Sequence, residues 1–221
     1  MTSTDKPNIL LLSLSYRDFL DETYAPLFNR LLQVANIKRA KTVSAALRVL
    51  AENTFKAIII TDEGLASSKQ ANREVLAKVK TYVQDGGLAI AGLHFPNFTR
   101  MDAFTKFFDY FGLPWTNGDY HRTSFQLNPS GVFPGSTRYD VLPGHYSMKV
   151  LHVKNARPDE KLFIPQDGAK TQSRVFSAEY VDESQAAVVG AKLGRGFLVY
   201  CGDVNGEDGS NRLMVALCGF D

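Results

Sequence analysis

Histidine is the side chain whose ordinary pKa lies nearest neutrality, so it is the first place to look for proton transfer. One of the four histidines, His94, follows an apolar run through Gly92-Leu93 and leads into Phe95-Pro96-Asn97. A strand that passes through Gly-x-nucleophile into a sharp turn and helix is the layout of a nucleophile elbow, which presents Ser or Cys. Here the central residue is His94, and Pro96 stands where a small residue would trail. Histidine cannot replace a thiolate nucleophile without a different mechanism. It could act as a general base, bind phosphate or carboxylate, or ligate a metal; the plain alternative is a structural histidine bonded to loop backbone. A second polar cluster, Asp203-Val204-Asn205, follows the apolar run Phe197 to Tyr200 and Gly202. Its carboxylate and amide could face the imidazole, which makes His94, Asp203 and Asn205 the candidate catalytic set.

Other chemistry-bearing residues fall just after apolar runs or in irregular sequence: Ser15 and Tyr16, Asp62 and Glu63, Asn97, Asp119 and His121, and Glu207. Tyr16, Asp62, Asn97, Asp119, His121 and Glu207 are the candidate substrate contacts. The competing reading for each is a solvated loop residue or a helix cap. His94, His121, His145 and His152 form no His-x-His or His-x-x-x-His pair, so a metal site has little sequence support. Asp119 and His121 would join His94 and Asp203 only if their loop folds over the site, and a merely hydrogen-bonded loop competes with that. Trp115 and Tyr120 could stack on a flat ligand or pack beneath the loop.

Elements that would position these residues can be read from periodicity. Residues 8–14 form a nearly continuous apolar run, as do 56–61 and 88–93, which suits strands covered on both faces. Tyr16 to Ala35 carries apolar residues at helical spacing, with Pro26 marking a break. Ile37 to Val43 reads as a short strand, and Ser44 as the N-cap of the next helix. Lys69 to Gln84 is a helix stopped by Asp85-Gly86-Gly87. Met101 to Phe111 is another, with Phe104, Phe107, Phe108 and Phe111 as its core stripe. From Trp115 to about Gln172 the sequence reads as a loop-rich insertion with short strands at 123–127, 148–153 and 162–164. Arg174 to Val181, Ala186 to Ala191 and Phe197 to Tyr200 read as consecutive strands, and a helix at 210–218 closes the chain. Strands alternating with helices predict one α/β domain over 1–221, with a doubly wound, largely parallel sheet of flavodoxin-like type and helices on both faces.

The 221 residues are 44% hydrophobic and 22% charged, enough for one sizeable core. A formal net charge of +2, with no dense basic stretch, points away from nucleic acid. The polar start lacks a signal-peptide core and no run suits a membrane span, so the expectation is a cytoplasmic protein without membrane partners. Cys201 and Cys218 read as two small buried hydrophobes in a reducing compartment. There is no G-x-G-x-x-G after the first strand and no G-x-x-x-x-G-K-[ST], so no nucleotide cofactor is expected.

The stretch Gly194-Arg195-Gly196 through Tyr200-Cys201-Gly202-Asp203-Val204-Asn205 and the closing helix resembles the C-terminal part of the class I glutamine amidotransferase superfamily. The ending Leu88 to His94 resembles its trehalose-utilisation-protein-like branch. In active members of the superfamily, the resemblance implies a post-strand His-x-Glu pair completing a triad with an elbow cysteine. Here Asp203-x-Asn205 and His94 occupy those positions. What the resemblance implies is an amidotransferase-like domain without the triad, binding a small polar molecule or a protein partner; homo-oligomerisation stays open. The alternative is a hydrolase or sugar-modifying enzyme using His94 with a carboxylate, with or without a metal.

Overall fold

A computed structural model describes residues 6–173 and 175–221. The first half alternates as the apolar runs predict. Strand β1 (Asn8–Leu12) leads to a short helix α1 (Leu20–Thr23) and α2 (Ala25–Val34), then β2 (Asn36–Ala40) and α3 (Val43–Glu52). Strand β3 (Ala57–Ile60), α4 (Gln70–Gln84), β4 (Leu88–Ala91), α5 (Phe95–Phe98) and α6 (Met101–Tyr110) follow. Pro26 sits in the first turn of α2, where its missing N–H costs nothing, so the expected break falls at Tyr24. Thr42 is the N-cap of α3, its hydroxyl accepting from the Ala45 N–H at 3.2 Å; the expected cap, Ser44, lies inside the helix.

The second half follows the sequence reading in part. The short strands expected at 123–127, 148–153 and 162–164 are present but longer, as β5 (Thr116–Leu127), β6 (His145–Lys154) and β7 (Lys161–Pro165). These are followed by β8 (Val188–Leu193), β9 (Gly196–Cys201) and α7 (Asp208–Leu217). Asp119 to Arg122, expected in a loop, lies within β5 beside a register shift between Asn117 and Tyr120. The strand expected at Arg174 to Val181 is absent from 175–181 apart from an isolated bridge between Lys170 and Tyr180; Arg174 lies outside the described residues. Val175, Phe176 and Tyr180 have strand-forming side chains, but no neighbouring strand covers them.

Among the described residues, the nine strands form one sheet in the order β2-β1-β3-β4-β9-β8-β7-β5-β6. The first five are mutually parallel, in the flavodoxin-like order, with the fifth place taken by β9. From β9 to β6 every pairing is antiparallel. Alternate residues of β1 face opposite layers: Ile9 and Leu11 pack with Leu27, Leu31 and Leu213, whereas Leu10 and Leu12 pack with Val75, Val79 and Phe104. Both faces are therefore covered, as the unbroken apolar run requires.

The antiparallel half curls back on the end of β9. Leu151 N donates to Gly202 O (3.0 Å), Val204 N to Lys149 O (3.0 Å) and Val153 N to Ala186 O (2.9 Å). A Cβ at Gly202 would collide with Leu151 O, so glycine permits this close approach. The curl sets β5 and β6 beside the carboxyl edge of the parallel strands. No described helix is long and apolar enough to cross a membrane.

Candidate functional site

Strands β1, β3, β4 and β9 are consecutive neighbours, so their carboxyl ends meet at one edge, where doubly wound sheets bind ligands. The turn after β4 is strained, but not at His94. Leu93 takes the left-handed conformation, with φ of 59°, while His94 is in the ordinary helical region at φ −75°. The elbow thus presents a leucine that is only 2% exposed. His94 starts α5, and its backbone N–H donates to Thr61 O at 2.9 Å, tying β4 to β3.

Aromatic rings enclose the His94 side chain. Phe19, Phe98 and Tyr24 lie 4.8, 5.1 and 5.5 Å from it, centroid to centroid, and the residue is 2% exposed. Its Nδ1 is buried without a hydrogen-bond partner, and so is the Tyr24 hydroxyl. Burial, reinforced by the Arg17 charge and partly offset by Glu63, pushes the imidazole down to about 4, so it is neutral near pH 7. The expected pairing with Asp203 is absent. A carboxylate partner would have raised the pKa; the hydrophobic enclosure does the opposite.

Asp203 serves its own loop. Its two carboxylate oxygens accept from the backbone N–H groups of Asn205 and Glu207, both at 2.8 Å. Burial raises its pKa against the pull of these bonds and of Ser210. Asn205 is exposed, and its contribution to this turn is that backbone N–H. Asn97 does join the two strand ends, donating from Nδ2 to Val204 O at 3.0 Å.

Asp62 plays a similar part after β3. Its Oδ1 accepts from Ser15 N and Gly64 N, each at 3.0 Å, while Oδ2 is buried and unpartnered. Burial outweighs the two N–H donors and pushes its pKa up to about 6. Beside it Arg17 grips Glu63 with two bonds of 2.9 and 2.6 Å and lies over the Phe98 ring at 3.8 Å. Tyr16 turns elsewhere, its hydroxyl donating to Asp21 at 2.8 Å.

On the antiparallel half, the Asp119 carboxylate accepts from Gln185 Nε2 (2.8 Å), and its carbonyl oxygen meets His152 Nδ1 (2.9 Å). The His121 and His152 rings meet at a tilt of 40°, 4.3 Å between centroids. Glu207 forms an ion pair with Arg122 of β5, so the turn after β9 is anchored to that strand. The candidate residues therefore do not form one set: His94 lies with Asn97, Asp203 with Asn205 and Glu207, and Asp119 with His121, while Asp62 holds the turn after β3 and Tyr16 bonds Asp21. Among the described residues, no three His, Cys, Asp or Glu side chains gather as a metal site. Trp115, one of the two rings considered for stacking, is fully buried against Phe108, its Nε1 donating to Glu160 at 2.8 Å.

Sequence reasoning missed Arg17, Tyr24, Arg122 and Gln185. Arg17 alone carried a signal, since it follows β1 within a few residues; the other three gain their places only through tertiary packing.

With this geometry the chain can be set against known structures. The fold is that of ThuA-like proteins. A thuA-like protein from Bacteroides uniformis superposes with a TM-score of 0.57 at 9% identity, covering 98% of this chain and 91% of the other. One from Parabacteroides merdae gives 0.58 at 9% identity, covering 97% and 89%. At this identity the likeness is one of fold, and that fold is flavodoxin-like. A β-galactosidase from the haloarchaeon Halorubrum lacusprofundi matches with a TM-score of 0.54 at 16% identity, over 97% of this chain and 30% of the enzyme. No sequence family model matches the chain, and neither does any curated protein.

Proposed function

We propose that this chain is an amidotransferase-like domain that binds a small polar molecule or a protein partner at the carboxyl edge of its sheet, without hydrolysing glutamine. The observation that carries this reading is the turn after β4. Its strained position holds a buried leucine, and the adjacent His94 is enclosed by rings with no carboxylate to orient it. Acyl transfer from glutamine needs an accessible nucleophile beside a base. Neither thiol offers one: Cys201 and Cys218 are buried, and burial pushes each up to about 12, so both are protonated and sheltered. The enzyme alternative needs His94 within reach of a carboxylate in an open pocket, and its enclosure argues against that.

Incubation with glutamine should release ammonia at the rate of buffer alone, and Cys201→Ser should change nothing. Ammonia release above background that disappears in Cys201→Ser would overturn the proposal.

A further inference from the structure

Between α4 and α6 the helical layer leaves an open groove of about 670 Å³. One wall is the short turn Glu63–Ala66 with the start of α4, and the other is one face of α6. On α6 the lining residues Ala103, Phe107 and Tyr110 recur at helical spacing, a stripe about 10 Å long.

The groove has an apolar floor. Leu65, Leu76 and Phe107 are buried along it, and the half-buried Ala66 and Ala103 are small enough for a partner's backbone to come close. Tyr110 stands at the C-terminal end of α6 with its ring 40% exposed. Lys80 holds it there, with Nζ donating to Tyr110 O at 2.6 Å and lying 4.6 Å from the ring centroid.

Charge then narrows the occupant. Arg73, Arg100 and Lys106 line the groove against a single carboxylate, Asp102, which leaves an excess of two positive charges. Asp102 meets Arg100 at 3.2 Å and Lys106 at 3.8 Å, while Arg73 has no ion pair among the described residues. All three cations are exposed, so they form a rim that steers an anionic surface onto the floor. A polyanion such as nucleic acid would leave that apolar floor unused. Helices form most of both walls, and their backbone groups are already paired, so an extended peptide could not add a strand here. A helix, which brings its own backbone hydrogen bonds, fits the trough. We propose that the groove docks an amphipathic helix of an acidic protein partner, its apolar stripe along Ala66, Ala103 and Tyr110 and its carboxylates on Arg73, Arg100 and Lys106. Neither His94 nor Asp203 lines this groove, so the proposal stands apart from the carboxyl-edge reading above.

The probe is a synthetic helix of about 14 residues, roughly 20 Å long, with one leucine stripe flanked by glutamates. One control replaces its glutamates with lysines, and a second scrambles the leucines at the same composition. Amide NMR shifts should concentrate at 65–76 and 100–110, and the glutamate peptide should bind about tenfold more tightly than either control. Arg73→Glu combined with Arg100→Glu should invert the charge preference, so that the lysine peptide binds the more tightly. Both side chains are exposed, and spectral dispersion reports that the variant is folded. Absence of shifts, equal affinity for the scrambled peptide, or a preference that survives the charge reversal would overturn the proposal. So would equal affinity for a single-stranded oligonucleotide. Self-association of the protein alone that the reversal abolishes would also overturn it, by making a second copy the occupant. Glutaminase activity would refute the carboxyl-edge reading by a separate readout and leave this one standing.

Discussion

Phe108→Ala is expected to lower the unfolding free energy by about 3–5 kcal/mol, the usual range for emptying a buried aromatic site. Phe108 is fully buried, with Phe104, Phe107, Trp115 and Tyr200 rings 4.8, 5.0, 5.1 and 5.7 Å away. These rings come from α6, the start of β5 and β9, so the cavity would open where three elements meet and could not easily collapse. Phe95, the residue after His94, packs into the same cluster at 6.1 Å from Phe108. The loss would therefore also loosen the β4 turn. Phe19→Ala is the comparison: Phe19 covers His94 from outside and is 48% exposed, so its removal should cost less than about 1 kcal/mol. Urea denaturation of both variants checks this. A smaller loss for Phe108→Ala than for Phe19→Ala would mean that the aromatic cluster does not support the turn.

The second large effect is expected at Asp203. Asp203→Ala should cost about 2–4 kcal/mol, because the backbone N–H groups of Asn205 and Glu207 lose their acceptors. Asp203→Asn keeps one acceptor oxygen and should cost less. The pH dependence has a definite sign. Burial raises the folded carboxyl above its ordinary value of 3.8, so the folded state holds its proton where the unfolded chain has lost it. Stability gained that way is complete below 3.8 and is lost as pH rises through the folded pKa. Wild type should therefore gain on Asp203→Asn as the solution is acidified, in denaturant titrations across that window. A catalytic carboxylate with no part in the loop would leave Asp203→Ala as stable as wild type.

The parallel half of the fold was legible because burial on both faces leaves a plain trace. Ile9-Leu10-Leu11-Leu12 and Ala57-Ile58-Ile59-Ile60 have no polar alternation to confuse the reading. The antiparallel half left a fainter trace: its strands read as short pieces, and the full length of β5 does not show. Thr116 to Ser124 reads Thr-Asn-Gly-Asp-Tyr-His-Arg-Thr-Ser, poor in apolar residues, and becomes a strand because β6 pairs with it along most of its length. Tertiary pairing overrides weak local preference there. The reverse holds at 175–181, where Val175, Phe176 and Tyr180 invite a strand that forms only the isolated bridge between Lys170 and Tyr180. In the candidate site, the strand ends do meet at one edge of the sheet, but the spacing of Gly92-Leu93-His94 could not tell which residue takes the strained turn. Nor could it show that Asp203 spends its oxygens on its own loop, since that depends on how the turn closes.

The most direct test of the account is the titration of His94 by NMR of its imidazole in wild type and in Asp203→Asn. Burial among Phe19, Tyr24 and Phe98 predicts a midpoint near 4, against an ordinary 6.5, with the same midpoint in both proteins. Between those values the unfolded chain takes up a proton that the folded imidazole refuses, so stability contributed here is lost as pH falls from 6.5 toward 4. A midpoint above 6.5 in wild type that drops in Asp203→Asn would show a His–carboxylate pair poised for acid–base chemistry. That result would contradict the account.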